Sequence, residues 1–271
     1  MNEIDFYLNE DLGEEGDITS DSLFTDEIGK AHILAKDDCI VAGLDEAFMV
    51  FLNTGANLSK EVIDGEEIKS GSIVAEVSGS VKSILKGERL ALNFICRMSG
   101  IASETRRLID ICKSVNSSVS IAATRKTTPG FRKYEKKAVA LGGGEPHRMG
   151  LFDVVMIKDN HLKCFGSVED AIKKAQKNVK DKIIEVEVES EIDAVIAAKL
   201  GVDVIMLDNF SINDLKSVVD NIKKINSKVL IEISGGISSE NILDYAVFAD
   251  RISLGCLTHS VKSIDFSLDF M

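Results

Sequence analysis

Two rhythms of apolar and polar positions divide the chain. Beyond residue 115, apolar runs at 119–123, 153–158, 183–188, 203–207, 228–233 and 251–254 are bounded by polar residues. Their lengths suit buried strands. Segments 167–179, 190–200, 211–225 and 238–247 lie between the later runs. They carry apolar residues at helical spacing and open with Ser167, Ser190, Ser211 and Ser238 near the N-cap position. Strand and helix alternating at this spacing predict βαβ units and a parallel sheet. The first hundred residues read differently. A short helical pattern in residues 1–20 gives way to turn and cap chemistry. Residues 30–42 read as a strand. Residues 44–54 read as a helix with Phe48, Val50, Phe51 and Leu52 partly buried. Residues 61–85 read as short strands separated by the hairpin signals Asp64-Gly65, Ser70-Gly71 and Ser78-Gly79. Residues 87–115 predict a long helix, with Leu90, Phe94, Met98 and Ile101 near one face and a break at Ser99-Gly100.

The parallel half fits an open doubly wound sheet or a closed barrel. No GxGxxG follows a strand, which removes the main argument for a dinucleotide fold. The polar residues favour the barrel, because they gather where strands end: Thr124-Arg125-Lys126, Lys158-Asp159-Asn160, Glu187 and Glu189, Asp208-Asn209, Ser234-Gly235-Gly236, Gly255 and Thr258-His259. In a βα barrel those ends converge on one mouth. Glu185, Glu187 and Glu189 alternate with apolar residues and share a face. A strand covered on both sides rarely repeats charge, so at least one of these carboxylates is expected to point into the mouth. The Ser234-Gly235-Gly236 loop reads either as an ordinary tight turn or as a phosphate cradle ahead of a helix N-terminus.

Charge sharpens this picture. The 271 residues carry a net charge of -12, yet residues 121–163 hold nine Lys/Arg against four Asp/Glu. Both prolines, Pro129 and Pro146, fall in that island. A basic island in an acidic protein reads as a pocket for a polyanion. Arg132, Lys133, Lys136 and Lys137, at helical spacing around Tyr134 and Glu135, read most simply as a solvated helix face. Arg89 and Arg97 read as outward or end charges. The acidic balance argues against nucleic acid as the main partner. No apolar run is long enough to span a bilayer and no signal peptide is evident, so a cytoplasmic protein without a membrane partner is expected. The five scattered cysteines suggest neither disulfides nor a cysteine zinc site.

Fixed cations, one or two carboxylates and a phosphate cradle at one mouth suit transfer at a phosphorylated ribose, with carboxylates stabilising a developing cation or binding a divalent metal. Lys158 as a Schiff-base lysine is the alternative. It leaves Arg125 and Arg148 unexplained.

Three blocks carry a longer pattern: 124–130 (TRKTTPG), 142–151 with Gly142-Gly143-Gly144 and His147-Arg148-Met149-Gly150-Leu151, and 157–161 (IKDNH). They resemble the signature blocks of the quinolinate phosphoribosyltransferases. The resemblance extends in order through 10–13, 16–20, 88–94, 99–102, 185–188, 206–209, 234–237 and 257–260. It implies an N-terminal α+β sandwich domain (1–103) and an incomplete (βα) barrel of parallel strands (104–261), with the tail 262–271 returning to the first domain. It implies that phosphoribosyl passes from phosphoribosyl pyrophosphate (PRPP) to quinolinate with Mg2+, releasing pyrophosphate and carbon dioxide and leaving nicotinate mononucleotide. Arg125, His147, Arg148 and Lys158 match residues that hold the two quinolinate carboxylates. Arg89 matches one that reaches in from the neighbouring subunit of a homodimer. Lys126 matches a residue near the PRPP phosphates. Glu187 and Asp208 match carboxylates near the ribose and its metal. Ser234, Gly235, Gly236 and Gly255 match the 5′-phosphate loops. Lys126, Lys158, Glu187 and Asp208 are thus the expected catalytic set.

One departure stands out. Ala123 precedes the Thr-Arg-Lys block where many family members have Asp, which removes a supporting partner for Arg125 or Lys126. Three rivals remain: a relative associated with molybdenum transport, a nicotinate-specific transferase, and a silent barrel that only binds phosphorylated metabolites.

Overall fold

The computed structural model describes residues 3–271. Met1 and Asn2 lie outside the described residues, so the helical pattern read from residue 1 is seen from Glu3. The chain clusters into two compact units. One comprises the residues up to Arg106, Lys137–Gly143 and Val261–Met271; the other comprises Arg107–Lys136 and Gly144–Ser260.

In the first unit, α1 (Glu3–Leu12) and α2 (Ile18–Leu23) precede β1 (Ile28–Ala35) and β2 (Cys39–Ile40). Then come α3 (Leu44–Thr54), β3 (Asn57–Lys60), β4 (Glu67–Ile68), β5 (Ile73–Ser80) and all but the last turns of the long α4 (Val81–Lys113). The main sheet is antiparallel, in the order β12-β1-β5-β3, where β12 (Phe266–Phe270) is the last strand of the chain; β2 pairs with β4. Ala31, Ile33 and Ala35 of β1 are fully buried on one face, as period-two alternation requires.

The helix does not break at Ser99-Gly100, because both residues serve packing within it. Ser99 is fully buried, and its hydroxyl accepts from Ala42 N (2.9 Å) and donates to Ala42 O (3.2 Å). A Cβ at Gly100 would lie 2.3 Å from the carbonyl oxygen of Lys262, so glycine makes room for the returning tail. The boundary expected at residue 103 falls inside α4.

The second unit contains β6 (Ser120–Ala123), the start of α5 (Arg132–Leu141), β7 (Val155–Ile157), α6 (Asp159–Phe165), α7 (Val168–Asn178) and β8 (Ile184–Val188). It continues through α8 (Glu191–Leu200), β9 (Val204–Asp208), α9 (Ile212–Ile225), β10 (Leu230–Ser234), α10 (Ile242–Ala246), β11 (Arg251–Leu254) and α11 (Cys256–His259). Six parallel strands run in the order β6-β11-β10-β9-β8-β7. Their register sorts the side chains. Ile121, Ile157, Val186, Ile205, Leu207, Ile231, Ile233 and Ile252 share the outer face and are all buried. The other face carries Met156, Glu185, Glu187, Met206, Asp208, Glu232, Ser234, Arg251 and Ser253. Apolar outside and polar inside is the pattern of a curled sheet with helices around it.

Ser167, Ser190 and Ser211 occupy N-cap positions as expected, and two of them cap with the side chain: Ser167 accepts from Asp170 N and Ser190 from Asp193 N. Ser211 instead donates to the Asp214 carboxylate at 2.7 Å. Ser238 lies before a turn that Asn241 closes, so α10 starts only at Ile242. No helix among the described residues is long and apolar enough to cross a membrane.

Candidate active site

The ends of all six parallel strands line one cavity of about 370 Å³. A flat sheet of this width would span roughly 24 Å, so its edge strands β6 and β7 reach the same cavity only because the sheet curls. The cavity brings together Arg125, Lys126, His147, Arg148, Lys158, Glu187, Asp208 and Ser234, residues scattered over more than a hundred positions of sequence. Met156, Met206, Glu232 and Ser253 join them.

The cationic side is built by two loops tethered to the first turns of α5. Glu135 accepts from Thr128 N and from Thr128 Oγ1, both at 3.0 Å. Arg132 donates through Nε to Thr127 Oγ1 and through a terminal nitrogen to Met149 O, each at 3.0 Å. Lys136 donates to the carbonyl of Pro146. Glu135 and Lys136 are buried, so the solvated-face reading of this segment is corrected: these side chains hold the 124–130 and 146–149 loops in register. Lys137 is likewise engaged, bridging Asp45 and Glu46 within the first unit. Thr258 Oγ1 donates to the backbone oxygen of Lys126 at 2.7 Å.

Two arginines stand in this wall with little compensation. Arg148 is only 9% exposed; burial and the neighbouring Arg125 both work against its charge. The Nε of Arg125 is buried and donates to nothing. An orphaned buried N–H is costly unless a ligand supplies the acceptor. Lys136 reports the same positive field. Burial pushes its ammonium down to about 8, and Arg132, Arg148 and Arg125 add to the shift against the pull of Asp153.

Opposite stand the carboxylates. Lys158, just past β7, forms an ion pair with Glu187 of β8. Asp208, at the end of β9, accepts from Asn209 Nδ2 at 2.8 Å. Glu185 also faces inward and is buried, whereas Glu189 lies beyond the strand, exposed, beside a separate hollow. Glu187 and Asp208 offer only oxygen donors, the chemistry that suits magnesium. They stand on neighbouring strands, β8 and β9.

Gly235 and Asn209 interlock beside Ser234. Both have left-handed backbone, at φ 92° and 57°, and a Cβ on Gly235 would fall 2.3 Å from Asn209 Oδ1. Because α10 starts late, Gly235 and Gly236 present a tight loop rather than a helix end. A Cβ on Gly255 would meet Lys126 Cδ at 3.0 Å and His259 Nε2 at 2.8 Å, which sets this glycine beside the lysine. Arg89 lies in the other unit, exposed on α4.

At the floor of the cavity His147 and Glu185 belong to a charged group whose other members, Glu232, Arg251 and Glu145, sequence reasoning missed. His147 Nε2 is 3.3 Å from Glu185 Oε2 and 3.6 Å from Glu232 Oε2. Arg251 donates to Glu232 at 3.0 Å and lies 2.8 Å from Glu145 Oε2. Ser253 also donates to Glu232. The signal was present, since Glu232 stands between Ile231 and Ile233 in a covered strand as Glu185 does in its own.

Comparison with known proteins agrees with this geometry. The family model for the quinolinate phosphoribosyl transferase N-terminal domain matches residues 17–99, and that for the C-terminal domain matches residues 101–269. A probable nicotinate-nucleotide pyrophosphorylase (carboxylating) of Methanocaldococcus jannaschii is 44% identical, over 94% of this chain and 92% of that protein. The chloroplastic nicotinate-nucleotide pyrophosphorylase (carboxylating) of Arabidopsis thaliana is 38% identical, over 96% of this chain and 80% of that protein. The solved nicotinate-nucleotide pyrophosphorylase of Francisella tularensis superposes with a TM-score of 0.92 at 35% identity, covering 99% of this chain and 94% of that one.

Proposed function

The chain belongs to the quinolinate phosphoribosyltransferase family and transfers a phosphoribosyl group from PRPP to quinolinate with decarboxylation, in the biosynthesis of NAD, and we propose the following division of labour among its residues. Arg125, Arg148, His147 and Lys158 hold the two carboxylates of quinolinate. The observation that carries this is the buried, partnerless Nε of Arg125 beside the buried Arg148. Such a pair calls for an anion, and guanidinium binds carboxylate with two parallel hydrogen bonds. Met156 and Met206 supply apolar lining next to these cations.

Lys126, Ser234, Gly235, Gly236 and Gly255 take the phosphates of PRPP, the glycines letting the backbone approach closely. Departure of pyrophosphate leaves positive charge on the ribose C1. Glu187 and Asp208 face that carbon and stabilise the charge electrostatically. The pyridine nitrogen, oriented by the clamped carboxylates, attacks C1. The resulting ring cation then favours loss of the adjacent carboxylate as carbon dioxide. The reaction rests on positioning and fixed charge, with no covalent enzyme intermediate. The ion pair with Glu187 suits Lys158 to the role of a fixed cation rather than an amine nucleophile. Glu187 and Asp208 would hold magnesium, which when bound would supply charge neutralisation for the leaving pyrophosphate.

The reading also includes a homodimer in which Arg89 of one subunit completes the site of the other; the exposure of Arg89 on α4 supports it. It includes a cytoplasmic location, in keeping with five cysteines that are all free. A calorimetric titration with quinolinate tests the central assignment. Binding that disappears in Arg125→Ala and Arg148→Ala, while PRPP binding survives, supports it. Undiminished quinolinate binding in both variants overturns it.

A further inference from the structure

Two buried carboxylates and one guanidinium meet at the floor of the cavity, and their signs do not balance without the histidine. Glu185 is 1% exposed and Glu232 is 0% exposed. Glu145 joins them through Arg251, the one guanidinium of the group. Glu145 is half-exposed, so the buried pair Glu185 and Glu232 faces Arg251 with one carboxylate in excess, and burial pushes the Glu185 carboxyl up; an uncompensated buried charge is strongly disfavoured. The remaining candidate cation is His147, whose Nε2 stands within 3.6 Å of both Glu185 and Glu232. Its backbone is held in the left-handed region, at φ 54°. A non-glycine residue keeps that conformation only where its surroundings dictate it.

We propose that Glu232, anchored by Arg251 and Ser253 and assisted by Glu185, is a positioning residue that locks His147 as an imidazolium whose second N–H faces a substrate carboxylate. This rests on the reading that His147 meets quinolinate. A doubly protonated ring donates from both nitrogens. In the lock Nε2–H goes to the buried carboxylates, and Nδ1–H is assigned to the cavity that His147 lines. A neutral ring would present either a weaker donor or an acceptor lone pair, and the latter repels a carboxylate.

Arg148, the next residue, and its neighbour Arg125 line the same cavity as His147. Both oppose a charge on His147, so the carboxylates must outweigh them. Burial alone also draws the ring down. The bonds and charges of Glu185 and Glu232 reverse that, and His147 is pushed up to about 9. For Glu232, burial works against its charge, but His147, Ser253 and Arg251 hold it below the usual carboxylate range.

The same three residues place one ligand atom each within 4.8 Å of one another, a spacing open to a metal ion. A divalent cation there would displace the His147 proton and sit next to Arg251, with Arg148 and Arg125 nearby. The proton does the same electrostatic work with less repulsion, which is why the lock is assigned to it.

The test uses the full-length enzyme with ¹⁵N-labelled histidine, and His147→Gln to assign the signal among the four histidines. The wild-type His147 resonances should titrate near pH 9, and in Glu232→Gln about two units lower, in the usual histidine range. In parallel, the KM for quinolinate should stay flat to about pH 8.5 in the wild type. In Glu232→Gln it should rise about tenfold between pH 6.5 and 8.5, recover at pH 6, and leave the KM for PRPP unchanged. Should Glu232→Gln not fold, Glu185→Gln is expected to show a smaller shift of the same sign. A wild-type titration near 6.5, or one near 9 that Glu232→Gln does not move, overturns the lock. So does one equivalent of Zn²⁺ bound tightly to apo-enzyme with loss of the His147 titration. A lowered titration with a quinolinate KM flat in pH leaves the charge lock in place and overturns the contact between His147 and quinolinate.

Discussion

The ammonium of Lys158 is paired with the carboxylate of Glu187 at the ends of two neighbouring parallel strands, inside the cavity that the six strands share. Each group is thus the resting counter-ion of the other. On the proposed assignment, a substrate carboxylate that claims Lys158 would release Glu187 toward the ribose. Glu187→Gln should therefore lower kcat by about 100-fold, the usual loss when an electrostatic stabiliser is neutralised. The KM for both substrates should change by less than threefold. Steady-state kinetics checks this, and an unchanged kcat would remove Glu187 from the chemistry.

Arg148 is assigned to a different part of the reaction. Removing a charged hydrogen bond to one substrate costs about 2–3 kcal/mol, or roughly 30- to 150-fold. Arg148→Ala should raise the KM for quinolinate by that factor and leave PRPP almost untouched. Equal weakening of both substrates would contradict a carboxylate contact.

Arg89 and Lys158 belong to different units of the chain. Arg89→Ala and Lys158→Ala should each be nearly inactive. If Arg89 acts across a twofold interface, random subunit exchange between the two variants restores one good site in half of the dimers, about a quarter of wild-type activity. No recovery despite exchange proven by mass spectrometry would assign Arg89 to its own chain.

Lys136 allows a test of stability against pH. Its folded-state value, pushed down to about 8, lies below the ordinary lysine value. Between about pH 8 and 10.4 the unfolded chain therefore binds more protons, and stability from this group rises with pH. The Tm advantage of the wild type over Lys136→Met should widen across that window. A gap that stays constant would mean that Lys136 is not strained by its charge.

Much of the second unit was legible because strand ends have a chemical signature. Thr124-Arg125-Lys126, Lys158, Glu187, Asp208 and Ser234 each follow an apolar run, and a curled parallel sheet carries such ends to one place. The buried side of the site was harder to read. Lys136 and Glu135 occupy helical positions that look solvated, yet both are buried and bonded to distant loops, at Pro146 and Thr128. Glu232 followed the same alternation as Glu185, but its partners His147, Arg251 and Ser253 come from distant segments. The pairing of β12 with β1, from Ala31 against Phe270 to Ala35 against Phe266, was equally hidden in periodicity, because register between remote strands leaves no local trace. Gly100 marked the tail's path but read as a helix break, since a glycine that makes room for another backbone looks the same in sequence as one that ends a helix.

The selectivity of the cationic wall is the most direct test of the account. Two arginines, a protonated histidine and Lys158 suit an acceptor with two carboxylates. The purified protein is mixed with PRPP and magnesium, and either quinolinate or nicotinate is added while mononucleotide and carbon dioxide are followed. The account predicts mononucleotide and an equal amount of carbon dioxide from quinolinate, and no product from nicotinate. Product from nicotinate without carbon dioxide, and none from quinolinate, would contradict it.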